Sequence, residues 1–503
     1  MKKGKVFLVG AGPGDPKLIT VKGLEAIKDA DVLIYDYLAN PQLLTEASEE
    51  VELIYVGKKA GDHTYSQGKI NDIIVQKAKE GKVITRLKGG DPFIFGRGGE
   101  EAEYLREHGV EFEIVPGITS PIAVPAYAGI PLTHRDFNSS VAFVTGHEDP
   151  TKDESNIDWE KLSTATGTIV FLMGVGNLPN IVKQLKKHGR DPETSVALIR
   201  WGTRPEQETV VGNLNTIVKK VKEAELKPPA ITLVGDVVEL RERLQWFDNK
   251  DLFGKRILVT RSRKQASRLS KKLYELGADP VECPAIKIVP PEDFKSLDKK
   301  LLKADEYDWV VFTSVNGVKG VINRLKELNK DVRAFGNAKI CAIGSKTAEE
   351  LEKSGLKVDY VPEKYVAESI VEGLDEDLSN QKFLLPRANI ARDALPAGLK
   401  EKGAKVDNVV AYKTITGEGN KEALKLINEE EVDIITFTSS STVRNFVKML
   451  GDRDHEELLA DVTIACIGPI TADTAGDLGL DVDIIAEEYT IDGLVDALLK
   501  YVK

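Results

Sequence analysis

Phrases from the second half of this chain return at one nearly constant spacing. FTSVNGV, starting at Phe312, comes back as FTSSSTV at Phe437, 125 positions on. AIGSKTA at Ala342 returns as CIGPITA at Cys466, 124 positions on, and RILVTR ending at Arg261 is echoed by FLLPR ending at Arg387, 126 positions on. Solenoid repeats run to roughly 20–50 residues, so a period this long marks a duplicated domain. Each phrase is an apolar, β-branched run that ends in hydroxyls, glycine or arginine before a helical pattern. The chain beyond about residue 254 is therefore expected to fold as two similar α/β lobes.

The first half shares the alternation without the repeat. KVFLVG reads as a strand, GAGPGDP as a turn, LITVKGLEAIKDA as a helix and DVLIYD as the next strand, and VELIYVG, INDIIVQKAKEG and KVITRLKGGDPF continue the series. A second block starts near Val115, takes SVAFVTGH and TIVFLMG as strands, and ends near PPAITLVGDVVELRERLQWF. The polar, turn-prone stretch from Asp248 to Gly254 puts the main boundary at residues 246–254, with domains at 1–246 and 254–503. At roughly 100–200 residues per domain, 503 residues ask for about three to four compact units.

Composition narrows the function classes. No run reaches the ~18 consecutive apolar residues of a membrane span, and the first residues lead straight into a strand pattern instead of a signal-peptide core, so a cytoplasmic protein with no membrane partner is expected. Three widely spaced cysteines, Cys283, Cys341 and Cys466, suit a reducing compartment and offer neither a disulfide framework nor a zinc site. With 69 basic against 80 acidic residues the net charge of −11 argues against nucleic acid, though not against a small anion in a local basic pocket.

Two glycine-rich loops carry the chemistry of the first half. Gly10, Gly12 and Gly14 follow a strand and Asp36 closes the next one, which superficially matches a dinucleotide-binding fingerprint. Pro13 and Pro16, however, remove backbone donors a pyrophosphate needs, and Asp15 adds a negative charge. Residues 86–101, RLKGGDPFIFGRGGEE, combine five glycines, the carboxylate of Asp91 and three cations, a composition suited to close approach of backbone to a ligand.

That run, with VGAGPGDP, VPGITS and AGIPLTHR, resembles the uroporphyrinogen-III C-methyltransferases of the tetrapyrrole methylase family over about residues 4–245. The resemblance implies two methyl transfers from S-adenosylmethionine to uroporphyrinogen III, giving precorrin-2, in a homodimer with no metal. It implies a cofactor cleft between two α/β subdomains, lined by Pro13, Gly89, Gly90, Asp91, Ile94, Thr119, Ser120, Met173, Gly202 and Ala230. Individually, Thr119 and Ser120 also suit a helix cap and Met173 a core position. By the same resemblance Asp36 is the proton acceptor and Lys58 a donor, while the substrate's carboxylates make Arg86, Lys88, Arg97 and Arg135 candidate clamps. His147 belongs to a family-like block but reads more safely as a capped or core histidine.

In the second half FTSVNG, AIGSKTA, LLPRANIARDALPAGL, VVAYKT, FTSSSTV and IGPITA resemble, in order, the uroporphyrinogen-III synthases over about residues 254–503. This implies closure of hydroxymethylbilane to uroporphyrinogen III with inversion of the last ring. It also implies a chain that starts one lobe (254–288), builds the other (289–413) and returns to finish the first (414–503). Tyr412 is then the residue that assists hydroxyl departure, and Arg261, Thr313, Ser314, Arg387, Thr438, Ser439 and Ser440 are candidate carboxylate contacts, although at least half of the hydroxyls are expected to be helix caps. Two alternatives stand beside this: a dinucleotide-dependent oxidoreductase in the first half and a non-catalytic ligand-binding module in the second. A sirohaem or cobalamin branch is expected, with the dehydrogenase and chelatase steps on other chains.

Overall fold

Short β-branched runs alternate with amphipathic helices along both halves, and among the described residues they assemble into four five-stranded sheets of an α/β architecture. The computed structural model describes residues 4–48, 50–57, 65–147, 156–261, 263–362, 367–374, 377–416, 421–451 and 455–503. Two compact units divide the chain: Met1–Lys255 with Leu273–Asp279 and Val502–Lys503, and Arg256–Lys272 with Pro280–Tyr501.

In the first unit β1 (Lys5–Gly10), β2 (Val32–Tyr35), β3 (Glu52–Tyr55), β4 (Val83–Lys88) and β5 (Glu111–Val115) form an all-parallel sheet in the order β3-β2-β4-β1-β5. Successive residues of a strand face opposite sides. Leu33 and Leu87 accordingly pack with Ala26 and Ile27 of α1 (Val21–Lys28), whereas Ile34 and Ile84 pack with Ile70 and Ile74 of α2 (Gln67–Lys79) and Leu105 of α3 (Gly98–Glu107). Each fully buried Leu or Ile among them contributes about 1.5–3 kcal/mol. Because all five strands run one way, the loops after β1, β2, β4 and β5 gather at one edge, where open α/β sheets bind their ligands.

After α4 (Ser120–Tyr127) the second sheet follows: β6 (Val141–Thr145), β7 (Thr168–Leu172), β8 (Ser195–Arg200), β9 (Glu208–Asn213) and β10 (Ala230–Val234), in the order β6-β7-β10-β8-β9. Only β6 and β7 pair in parallel.

The second unit holds β11 (Arg256–Val259), β12 (Asp279–Glu282), β13 (Ile286–Val289), β14 (Trp309–Phe312), β15 (Lys339–Ala342), β16 (Lys382–Ala388), β17 (Lys405–Thr416), β18 (Ile434–Phe437), β19 (Thr463–Cys466) and β20 (Ile484–Ile485). They divide into sheets ordered β12-β11-β18-β19-β20 and β13-β17-β16-β14-β15, so the chain starts one lobe, inserts the other and returns. The inserted sheet begins at Ile286 and ends at Thr416, wider than the 289–413 read from sequence. The reason is that the two crossing strands β13 and β17 pair antiparallel, from Ile286↔Thr416 to Val289↔Lys413, and so belong to one ladder.

Among the described residues no helix is long and apolar enough to cross a membrane, and no group of three or more His, Cys, Asp or Glu is placed to hold a metal ion. The three cysteines are buried and form no disulfide with one another.

Candidate active sites

The loops at the C-terminal edge of the first sheet meet backbone to backbone. Gly12 and Gly90 exchange hydrogen bonds of 3.2 and 2.7 Å, and a Cβ on Gly10 would lie 2.5 Å from Gly117 Cα and 2.6 Å from the Gly90 carbonyl oxygen. Only glycine permits that approach. Asp91 clasps the loops, its Oδ1 accepting from Phe93 N at 2.8 Å and its Oδ2 from Gly117 N at 2.9 Å. Asp15 is a brace instead of a repulsive charge: its N–H donates to Thr203 Oγ1 at 3.0 Å and its carboxylate accepts from Tyr127 Oη at 2.8 Å.

In the loops of this unit Phe95, Arg97, Met173, Trp201 and Thr203 hold φ between 46° and 71°. Such conformations cost side-chain-bearing residues of order 1–3 kcal/mol each and cluster at functional loops. Met173, just past β7, is 55% exposed, and Ile94 and Tyr37 are exposed as well. Pro13 and Gly89 are half-buried in the turns after β1 and β4. Thr119 is buried at the start of α4 with its hydroxyl not used in capping, and Ser120 opens that helix. Gly202 is buried beside Val124, and Ala230 opens β10. Arg135 is exposed in the turn after His134, and His147 is exposed past β6 with its N–H on Thr145 Oγ1. Lys58 lies outside the described residues.

Asp36 follows β2, where its Oδ1 accepts from Leu38 N at 3.1 Å and its Oδ2 lies 3.2 Å from Arg86 Nη2. Arg86 and Lys88, two residues apart on β4, share the face covered by α2 and α3. Both converge on Glu101 Oε1, Lys88 Nζ at 2.7 Å and Arg86 Nε at 3.5 Å, and Gln67 of α2 donates to the same oxygen at 3.0 Å. The side chains of Arg86, Lys88 and Glu101 are 4%, 5% and 0% exposed. Burial pulls the Lys88 ammonium below its usual range, the Arg86 charge adds to this, and Glu101 opposes both. The clamp role expected of Arg86 and Lys88 meets a competing arrangement: in the structure their partners are the protein carboxylates of Asp36 and Glu101. Arg97 is exposed and holds Glu100 through Nε (2.9 Å) and Nη2 (2.6 Å).

In the second unit the hydroxyl-rich phrases fall at strand ends. Thr313 and Ser314 follow β14, and Ser314 caps the helix Val315–Glu327 by accepting from Gly317 N at 3.0 Å. The same Oγ makes a 2.9 Å hydrogen bond with Tyr412 Oη of β17. Burial raises the Tyr412 phenol, while the Ser314 bond and the Arg387 charge pull it partly back. Arg387, 3% exposed on β16, donates from Nη2 to Arg392 O at 2.9 Å, and its buried Nε has no hydrogen-bond partner among the described residues. In the other lobe Arg261 is half-buried past β11 and held below its usual value by burial and by Arg268. Thr438 and Ser439 follow β18, and Ser439 caps the helix Ser440–Leu450 in a capping box with Thr442. Ser440 bonds to Ile470 O and to Thr474 Oγ1.

Sequence reasoning named Ser314 and Tyr412 separately but missed their bond, and it missed Glu101 and Gly117. The signal for Glu101 was two cations at i and i+2 of a buried strand, which need a buried acid opposite.

A parallel sheet with a glycine-built, strained ligand edge, joined to a two-lobed unit with capped strand ends, defines a two-domain α/β enzyme. Comparison with known proteins resolves the class. Residues 5–218 match the model of the tetrapyrrole (corrin/porphyrin) methylases, and residues 267–496 that of uroporphyrinogen-III synthase HemD. A porphyrin biosynthesis protein HemD of Ruminiclostridium josui is 41% identical over 502 residues, covering 99% of this chain and 98% of that protein. An S-adenosyl-L-methionine-dependent uroporphyrinogen III methyltransferase of Methanosarcina barkeri is 56% identical over 241 residues, 48% of this chain and 94% of its own length. A solved uroporphyrin-III C-methyltransferase from Thermus thermophilus, described as complexed with S-adenyl homocysteine, is 37% identical with a TM-score of 0.41, covering 47% of this chain and 99% of its own. The chain belongs to the tetrapyrrole methylases in its first half and to the uroporphyrinogen-III synthases in its second, fused in one polypeptide. These families replace the oxidoreductase and binding-module alternatives.

Proposed function

We propose that the second half closes hydroxymethylbilane to uroporphyrinogen III with inversion of the last ring, and that the first half methylates this product twice with S-adenosylmethionine to give precorrin-2 on the way to sirohaem or cobalamin. The observation that carries the reading is the full-length likeness to a porphyrin biosynthesis protein, because both halves then act on one intermediate.

The cradle fits the cofactor. Close-packed glycines bring the main chain of Gly89 and Gly90 to the sheet edge with no side chains in the way, and Ile94 and Met173 are exposed apolar side chains of the same unit. With Pro13, Asp91, Thr119, Ser120, Gly202 and Ala230 they would hold S-adenosylmethionine, which supplies an electrophilic methyl group when bound. The protein's part is to align the pyrrole carbon with that methyl and keep water out. The ring becomes cationic as its carbon is methylated, and Asp36 takes the proton released, with Lys58 as donor. The exposed guanidinium groups of Arg97 and Arg135 pair with substrate carboxylates.

In the synthase half, loss of the terminal hydroxyl leaves a pyrrole-stabilised cation, so positioning does most of the work. Tyr412 Oη donates a hydrogen bond to the departing hydroxyl while Ser314 orients the phenol. Backbone N–H groups at the helix starts following Ser314 and Ser439, together with Arg261, Arg387, Thr313, Thr438 and Ser440, receive the carboxylates.

The full chain incubated with hydroxymethylbilane, with and without S-adenosylmethionine, tests the proposal by product mass and isomer. Isomer III alone, then its dimethylated form on adding the cofactor, is expected. Formation of neither overturns it.

A further inference from the structure

We propose that Glu101 is a positioning residue of the methyl-transfer site, dividing the Arg86 guanidinium between two carboxylates so that Arg86 reaches Asp36 through Nη2 alone and does not clamp the carboxylate that takes the proton. The inference rests on the reading of Asp36 as the proton acceptor.

Four charged groups lie in one row, Arg86, Lys88 and Glu101 buried and Asp36 26% exposed at its outer end. Val32, Ile34 and Asp36 share a face of the first sheet, as do Ile84, Arg86 and Lys88, and Ile34 stands opposite Arg86 in the β2–β4 register. Arg86 therefore sits between Asp36, 3.2 Å from its Nη2, and Glu101, 3.5 Å from its Nε. Glu101 is fixed from three directions: by the first turn of α3, by Lys88 from β4 and by Gln67 from α2, which also bonds Asn71 Oδ1 at 3.0 Å. The groups facing this row from packed elements are Arg86 and Lys88 of β4, Glu100 and Glu101 of α3, Gln67 and Asn71 of α2, and Tyr55 of β3, whose phenol burial and the Asp36 charge hold above its usual value. Two cations and two carboxylates balance while Asp36 is ionised.

An arginine left to a single carboxylate would close on it and hold it deprotonated, and a carboxylate so held is a poor base. Glu101 prevents this by drawing the other edge of the guanidinium and by neutralising Lys88. The burial of Glu101 has this consequence for a reaction taking place at the other end of Arg86.

Glu101→Gln and Glu101→Asp in the full chain separate charge from shape. Gln keeps the size and loses the charge, and Asp does the reverse. The expected results are a kcat for methylation about tenfold lower in Glu101→Gln and within about threefold of wild type in Glu101→Asp, with KM for uroporphyrinogen III and calorimetric affinity for S-adenosylhomocysteine unchanged in both. A merely packing role ranks the variants the other way, and that order, or equal wild-type kcat in both, overturns the proposal. If Glu101→Gln does not fold, Lys88→Met/Glu101→Gln removes the lysine it strands and is read by the same kcat against KM. Asp36→Asn run in parallel tells the two failures apart. Full methylation by Asp36→Asn discards the acceptor reading and this inference with it, whereas an inactive Asp36→Asn beside an unaltered Glu101→Gln discards only the inference.

Discussion

Ser314 and Ser439 stand 125 residues apart in equivalent phrases and adopt the same extended backbone, φ −166°, ψ 155° and φ −171°, ψ 155°. Each begins a helix by capping it. Their remaining hydrogen-bonding capacity goes to different ends. In one lobe the second partner is a phenol, Tyr412 at 2.9 Å; in the other it is the protein's own helix start, with Ser439 N donating to Thr442 Oγ1 at 3.3 Å and Ser439 Oγ bonded to Ser441 Oγ at 3.0 Å. Gly344 and Gly468 repeat the lesson, both beginning helices from extended backbone. The two copies share the backbone device, and in one of them a phenol from β17, two strands away from β14 in the sheet, is added to it.

The largest effect should come from breaking that asymmetry. Tyr412→Phe is expected to lower the synthase kcat by about 10- to 100-fold and to raise the share of the unrearranged isomer formed spontaneously. A wild-type rate would make the lobes chemically equivalent. The caps sharpen the comparison next. Ser314→Ala and Ser439→Ala should each cost about 1 kcal/mol of stability by urea unfolding, since each removes one N-cap. Only Ser314→Ala should also slow ring closure, and equal kinetic effects would sink the distinction.

The smallest effect is in the pH dependence of stability. Burial, partly offset by Ser314 and Arg387, raises the Tyr412 phenol in the folded chain. A group whose folded value is raised contributes stability that is complete below its unfolded value, near 10 for a phenol, and lost as pH climbs through the folded one. Wild type should therefore lose more stability than Tyr412→Phe as pH rises past about 10. Parallel losses would mean that the phenol is solvated.

The fold was legible where periodicity was strong. The α/β alternation and the 125-residue repeat required no tertiary information, because strand and helix spacing are local. The lobe boundaries were not legible to the residue: β13 and β17 are tied by pairing with each other, a non-local fact, so the inserted lobe gains Ile286 and Thr416. The sites were legible as loops but not as contacts. Glu100 and Glu101 read as one acidic helix start, yet Glu100 is on the surface and Glu101 is inside, which depends on how α3 rotates over β4. Arg86 and Lys88 looked like free cations for the same reason: nothing local shows which partner a buried charge has found.

The contact of Gly10, Gly90 and Gly117 also limits how such a methyltransferase can be re-engineered. Its innermost wall is main chain, identical whatever side chains surround it, so libraries that vary those three positions would sample collapsed sites. Diversity belongs at Tyr37, Ile94 and Met173, whose side chains are exposed and can be exchanged without touching that glycine contact.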